Sequence, residues 1–424
     1  MRRAERRGRA VTGAAAMAAA VLSCASVVAQ TERPADAEIV IAQDEPREIA
    51  WPERAARVVR PLEVGPWTLY RVGPWDLGRS AGDEAASGLV AAILEVDPET
   101  IQLEKSGSIV VAMPEGELLP TAGLAGKPAA ACEVVSAKAL ADGAHELERT
   151  AFVLYNPSDP AGEDSDAERP DGLVVLLPGM FGTPEPVIDS VVGQLRGRGW
   201  HVLRMLTHSS RFTQRAEFVV VPGGEVETVA AQVAGVLGDR AAECAFAVEA
   251  ACGFFAKSSP GLPVQRRVAL GMSGGGMILP TVVAREHDAY KAAVFVGAGC
   301  DFAAIAMDSN YTDWIDAVRV TWQEEPTAND RAAFTEAYLA AAELDSYHTA
   351  LAMTDIPTLM LHGMADRAVP AATGDLLWNR LGEPERWTVP AGHEVLFLAY
   401  LPSRAADMLD WIEQAVVPTP APIP

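Results

Sequence analysis

Cysteine is scarce in this chain: five in 424 residues, too few for a disulfide scaffold. Positive charge is short as well. Thirty-four Lys and Arg stand against 57 Asp and Glu, a formal charge of −23. That excess disfavours a surface built to hold a phosphate backbone or an anionic lipid headgroup, so nucleic acid is not an expected partner. Charged residues are only 21% and apolar residues 49%, which argues against a largely disordered chain. The 35 Gly and 30 Pro follow no collagen period. There is no metal-ligand cluster and no nucleotide-binding motif, so neither a metal nor an organic cofactor is expected. Length sets a soft expectation of two to three domains.

The amino terminus reads as an export signal. Arg2, Arg3, Arg6, Arg7 and Arg9 precede an apolar run of small residues, Ala10 to Leu22. The run is too short to span a bilayer, which takes about 20 apolar residues, but it has the length of a signal-peptide core. Two exits are compatible with it. Val27-Val28-Ala29 before Gln30 fits cleavage after small residues, giving a signal peptide at 1–29. Val21-Leu22-Ser23-Cys24 resembles a bacterial lipobox, giving a lipoprotein signal at 1–23 with Cys24 lipidated. A lipid anchor at Cys24 is then the one expected contact with a membrane, and the location is periplasmic or extracellular. Cys132, Cys244, Cys252 and Cys300 remain in the exported part. Cys244 and Cys252 on one helix are about 12 Å apart along its axis. A disulfide needs Cα atoms within about 7 Å, so both are expected as buried small residues.

Two textures follow. Residues 31–150 carry short apolar runs broken by turn signals, such as 89–96 and 108–113, and read as a small β-rich region. Val64-Gly65-Pro66-Trp67 recurs as Val72-Gly73-Pro74-Trp75, two similar turns each with a Trp beside it. Residues 156–172 hold three Pro and six acidic residues, as in an exposed loop or linker. From 173 on, apolar strands alternate with helices. Strands are expected at 173–177, 200–206, 267–270, 292–296, 358–361 and 386–389, with helices between them and a last one at 402–415. A Pro-rich tail, 418–424, ends the chain. Such alternation predicts an α/β domain over 151–417, a mostly parallel sheet with helices on both faces.

Chemistry-bearing residues fall at the ends of those strands. Gly271-Met272-Ser273-Gly274-Gly275 follows an apolar strand and opens a helix. A sharp strand-to-helix turn needs Gly on both sides, lifts the Ser hydroxyl above the sheet, and leaves the Gly274 amide free to face an oxyanion. A Ser hydroxyl needs a base. Among seven His, His393 stands after the last strand, in Pro390-Ala391-Gly392-His393. The base needs a carboxylate to fix its tautomer. Asp366, in His362-Gly363-Met364-Ala365-Asp366, is the candidate, with Asp301 after the fourth of these strands as competitor. Pro178-Gly179-Met180-Phe181-Gly182 can aim a second amide at the oxyanion, from Met180 first and Phe181 next. Phe181, Met272 and His208 are candidates for lining the substrate pocket, and His362 is expected to pack locally.

The order Ser273, Asp366, His393, after a Gly-rich loop at 178–182, resembles the α/β-hydrolase superfamily. The resemblance covers about residues 150–415. It implies a nucleophile elbow at 271–275, an acid loop at 362–370 and a base loop at 392–393. Many members have His-Gly at the oxyanion loop, where this chain has Pro178-Gly179; the backbone donor does not need the His. Residues 301–350 lie where the superfamily often carries a helical cap. Between Asp301 and Asp355 there are eleven acidic residues and two Arg, a composition that disfavours anionic substrates. The expectation is an exported serine hydrolase acting on small carboxylic esters. The alternatives are a peptidase or amidase of the same fold, or a binding protein that keeps the fold without turnover.

Overall fold

A strand that is apolar on both faces must be covered on both, and the sequence supplies helices for each side. The computed structural model describes residues 48–416, apart from 53, 63–101, 104–125, 127, 140–143, 159–171, 180–182, 207–214 and 312–317. The signal region, the repeated turns at 64–75, the runs at 89–96 and 108–113, most of the acidic loop and the Pro-rich tail lie outside the described residues.

In chain order the strands are β1 (Arg54–Leu62), β2 (Gln102–Leu103), β3 (Ala130–Ala139), β4 (Ala144–Tyr155), β5 (Leu173–Leu177), β6 (His201–Met205), β7 (Ala216–Val220), β8 (Arg267–Met272), β9 (Tyr290–Val296), β10 (Val318–Trp322), β11 (Thr358–Gly363) and β12 (Glu385–Val389). One sheet has the order β1-β3-β4-β6-β5-β8-β9-β11-β12, with β2 on β4. From β6 to β12 every pairing in it is parallel. β4 pairs antiparallel with β6, β3 with β4 and β1 with β3. The strand β4 runs across residue 150, where the sequence suggested a boundary. The strands on either side of that point share one sheet, because the backbone edge of β6 is open to Phe152–Tyr155.

Among the described residues, the α-helices of four residues or more are α1 (Glu185–Gly197), α2 (Val226–Ser258), α3 (Gly274–Arg285), α4 (Phe302–Asp308), α5 (Ala328–Ala341), α6 (Ser346–Thr349), α7 (Ala371–Arg380) and α8 (Leu401–Ala415). Alternation along β5 divides the core. Leu173, Val175 and Leu177 pack toward α2 and α3, whereas Val174 and Leu176 pack toward α1 and α8, as the period of two in a strand requires. Helix α1 begins at Pro184-Glu185-Pro186, where proline's missing N–H is no loss. Cys244 and Cys252 lie eight residues apart on α2, both buried and both free thiols.

The stretch 301–350 was expected to be helical. It holds α4, α5 and α6, and also β10, which pairs in parallel with β7 as a separate two-stranded sheet. Phe334 and Tyr338 of α5 are buried, and Phe334 meets the Trp322 ring edge-on at 5.9 Å. Thr327 and Asp330 form a capping box that starts α5.

Strand order places the site. After β5 the chain goes to β6 on one side; after α2 it returns to β8 on the other side of β5. The carboxyl ends of β5 and β8 therefore flank a point where the winding reverses, and open α/β sheets bind their ligands at such a point.

Candidate active site

Ser273 follows β8 and caps α3 with φ 52° and ψ −121°. A non-glycine residue at positive φ is uncommon and strained, and persists only where its surroundings hold it. Its N–H donates to Val296 O at 2.8 Å, and its carbonyl accepts from Met277 N at 2.9 Å. The neighbouring glycines make the turn possible. A Cβ on Gly275 would lie 2.3 Å from Leu177 O and 2.4 Å from Pro178 O; one on Gly271 would lie 2.7 Å from Gly275 O. The elbow thus sits directly on the carboxyl end of β5, and only glycine fits there.

His393 Nε2 is 3.0 Å from Ser273 Oγ, and His393 Nδ1 is 2.6 Å from Asp366 Oδ2. Asp366 Oδ1 accepts from the amides of Ala368 at 2.9 Å and Val369 at 3.0 Å. Both carboxylate oxygens are thereby occupied, and the side chain is fixed in one orientation. Both His393 and Asp366 are buried, and Ser273 is half-buried. Loop packing joins acid to base. Met364 N donates to Val389 O and Ala365 N to Ala391 O, and a Cβ on Gly363 would stand 2.7 Å from Ala391 O. Phe397 lies against the His393 ring at 4.8 Å between centroids. It belongs to a π-helical stretch, Leu396–Tyr400, between His393 and α8, a rare turn often found at functional sites.

The chain of hydrogen bonds from carboxylate to imidazole to hydroxyl brings together Ser273, His393 and Asp366. Asp301 is elsewhere. It is buried in the left-handed conformation, caps α4 by accepting from Ala304 N at 3.0 Å, and is held close to Asp345. Burial pushes its carboxyl up to about 7, with the Asp345 charge adding to the shift. His362 is buried on β11, 3.8 Å from Asp375. Burial, with Arg386 nearby, pushes it down to about 4, which keeps it neutral.

The remaining candidates divide. Gly274 opens α3, where first-turn amides have no intrahelical partner. Gly179 stands beside the nucleophile: a Cβ there would be 3.4 Å from the Ser273 Cβ. Its own N–H is used by Thr183 Oγ1 at 3.0 Å and is not turned toward Ser273 Oγ. Met180, Phe181 and His208 lie outside the described residues. Met272 is fully buried and packs with Val268 and Leu270 toward α1 and α8. As the strand residue next to the elbow, it points into that core. No group of three or more His, Cys, Asp or Glu among the described residues could hold a metal ion. Burial pushes the Cys252 thiol up to about 12 and the Cys300 thiol well above its usual value, which makes both poor nucleophiles.

Tyr311 is the residue the sequence did not single out. Its ring meets His393 edge-on at 5.9 Å, and its hydroxyl donates to Glu394 Oε1 at 2.6 Å.

The family model of the prolyl oligopeptidase family matches residues 250–417, a stretch that includes Ser273, Asp366 and His393. A search of the curated proteins finds no match. Among solved structures, an acylaminoacyl peptidase in complex with Z-Gly-Gly-Phe-chloromethyl ketone is 16% identical with a TM-score of 0.41, over 62% of this chain and 39% of that one. A Mycobacterium tuberculosis puromycin-hydrolyzing peptidase is 15% identical, TM-score 0.43, over 70% and 46%. Est1E from Butyrivibrio proteoclasticus is 15% identical, TM-score 0.39, over 63% and 96%. This chain spans about two-fifths of the length of the acylaminoacyl peptidases it matches.

Proposed function

We propose that this chain is a serine hydrolase of α/β-hydrolase fold that cleaves small carboxylic esters through an acyl-enzyme; the match to the prolyl oligopeptidase family over 250–417 supports the hydrolase reading. The observation that carries the reading is the unbroken path from Asp366 through His393 to Ser273 Oγ. In the acylation step Ser273 Oγ attacks the ester carbonyl while His393 Nε2 takes the hydroxyl proton. Asp366 holds the ring so that Nδ1 carries the other proton, and its charge stabilises the imidazolium. The amides of Gly274 and Met180 are the proposed donors to the oxyanion. The imidazolium then protonates the departing alkoxide. Water, deprotonated by the same ring, releases the acid and restores Ser273.

An ester needs nothing from the site beyond this machinery, whereas a peptidase also needs a subsite that seats the peptide. The match to the prolyl oligopeptidase family over 250–417 favours that second reading, hydrolysis of peptides or aminoacyl amides. We also propose that the protein is exported, on the basic start and the apolar run from Ala10 to Leu22.

A fluorophosphonate probe tests the core of the proposal. Labelling is expected in the wild type and absent in Ser273→Ala; equal labelling of both would overturn it. Competition of that labelling by p-nitrophenyl esters and by aminoacyl p-nitroanilides then separates the two substrate classes. Faster turnover of the anilides at matched concentration would favour the peptidase.

A further inference from the structure

The insert between β9 and β11 does more than sit beside the site; it reaches into the loop that carries the base. Segment 309–311 is stitched to the acid loop. Ser309 Oγ donates to Ala368 O at 2.7 Å, Asn310 N donates to Arg367 O at 2.9 Å, and Tyr311 N donates to Ser309 Oγ at 3.1 Å. Ala368 is also one of the two residues whose amides hold Asp366 Oδ1. From that anchored segment the Tyr311 side chain crosses to the base loop. Its ring packs perpendicular to that of His393, and its hydroxyl donates to the carboxylate of the next residue, Glu394. Phe397 closes on the ring from its own side, and among the described residues Ser273 and Asp366 are the hydrogen-bond partners of the His393 ring.

We propose that Tyr311 is a positioning residue for the base: by bonding Glu394 from a segment fixed to the acid loop, it holds His393 between Asp366 and Ser273. The proposal rests on the reading of Ser273, His393 and Asp366 as the catalytic set.

The chemistry of the pair suits a fastening. A phenol donating to a carboxylate is a charge-assisted hydrogen bond, shorter and stronger than a neutral one. The Tyr311 bond holds the Glu394 carboxyl below its usual range, while burial and the Glu394 charge push the Tyr311 phenol up. Both shifts keep the donor protonated and the acceptor ionised across neutral pH. Without the bond, His393 depends on its own loop for registration, and a displacement of a fraction of an ångström weakens proton transfer. An interaction of this kind contributes on the order of a single net hydrogen bond.

The test uses the full-length protein, p-nitrophenyl acetate and a fluorophosphonate. Tyr311→Phe keeps the ring edge and removes the donor. It is expected to lower kcat and the rate of Ser273 labelling about five- to tenfold, with KM little changed. Glu394→Ala is expected to do the same. The double variant is expected to lose no more than the worse single one, because both act through one bond. Glu394→Gln keeps an acceptor oxygen and is expected to recover most of the loss seen in Glu394→Ala. Additive losses in the double variant, or wild-type kcat in Tyr311→Phe, would overturn the inference. A wild-type protein that fails to label at Ser273 would overturn the underlying catalytic reading, and this inference with it.

Discussion

The carboxylate of Asp345 accepts the backbone N–H of Asp301 at 2.9 Å, across 44 residues of chain. It also accepts from Phe302 N, Tyr347 N and Tyr338 Oη, at 2.7, 2.8 and 2.7 Å. One buried carboxylate therefore gathers both ends of the insert and its central helix. The bond leaves a second buried carboxylate, that of Asp301, close by.

The Asp301 pair gives a stability signature. Raised to about 7 in the folded chain, Asp301 keeps a proton that the unfolded chain loses near about 4. Folding stability from this group is full below about pH 4 and is lost as pH rises to about 7. Asp301→Asn keeps the cap on Ala304 N, since Asn caps as well as Asp, and removes the titration. Its melting temperature relative to the wild type is expected to climb between about pH 4 and about pH 8. A difference that stays flat across that range would refute the assignment.

His362 has the opposite slope. Lowered to about 4, it stays neutral in the folded chain while the unfolded chain takes up a proton near about 6.5. Stability is lost as pH falls from about 6.5 to about 4. His362→Gln is expected to flatten the acid side of a Tm-against-pH curve measured by calorimetry. An unaltered acid side would mean that His362 is protonated when folded.

The two aspartates should separate in turnover. Asp366→Asn leaves His393 without the acceptor that fixes its tautomer, and kcat is expected to fall about 10⁴-fold, as in the best-studied triad. Asp301→Asn, whose carboxylate bonds Ala304 and not His393, is expected to stay within about tenfold of wild type. The reverse order in steady-state assays would move the acid to the end of β9.

Gly275 tests the elbow. Alanine there brings a Cβ within 2.3 Å of one backbone carbonyl and 2.4 Å of the next, and neither can move without shifting β5. A loss of about 4 kcal/mol or more is expected, read as a large fall in Tm and in Ser273 labelling. Gly253, on the exposed side of α2 with nothing within 4 Å of its missing Cβ, is the control. Gly253→Ala is expected to gain about 0.5–1 kcal/mol from helix propensity alone. Equal behaviour of the two variants would refute the packing argument.

What the sequence made legible was local. Leu173–Leu177 is apolar without interruption and is the strand β5 to the residue. Gly271–Gly275 carried its own turn chemistry, and the structure puts that pentapeptide at the end of β8. Asp366 and His393 could be nominated because each follows a recognisable strand. What stayed hidden depends on partners far away in the chain. Val318–Trp322 alternates like a strand, but its partner is Ala216–Val220, about a hundred residues earlier. Asp345 is one acid among eleven in that stretch, and nothing local marks it as the one that gathers amides. Tyr311 carries no motif at all; its role arises only where 309–311 meets 366–368.

The pairing of β10 with β7 bears on how this protein can be engineered. The insert has the form of a cassette that could be exchanged for another beside the site. Yet β7 comes from the segment after β6, outside the insert, and Val219 and Val221 on or just after it are already 54% and 47% exposed. Cutting out the insert would leave a bare strand edge beside exposed valines, the arrangement that recruits a strand from another molecule. Modularity therefore breaks at a different place from the loop ends: any graft has to carry Ala216–Val220 along with Val318–Trp322, as one unit drawn from two places in the chain.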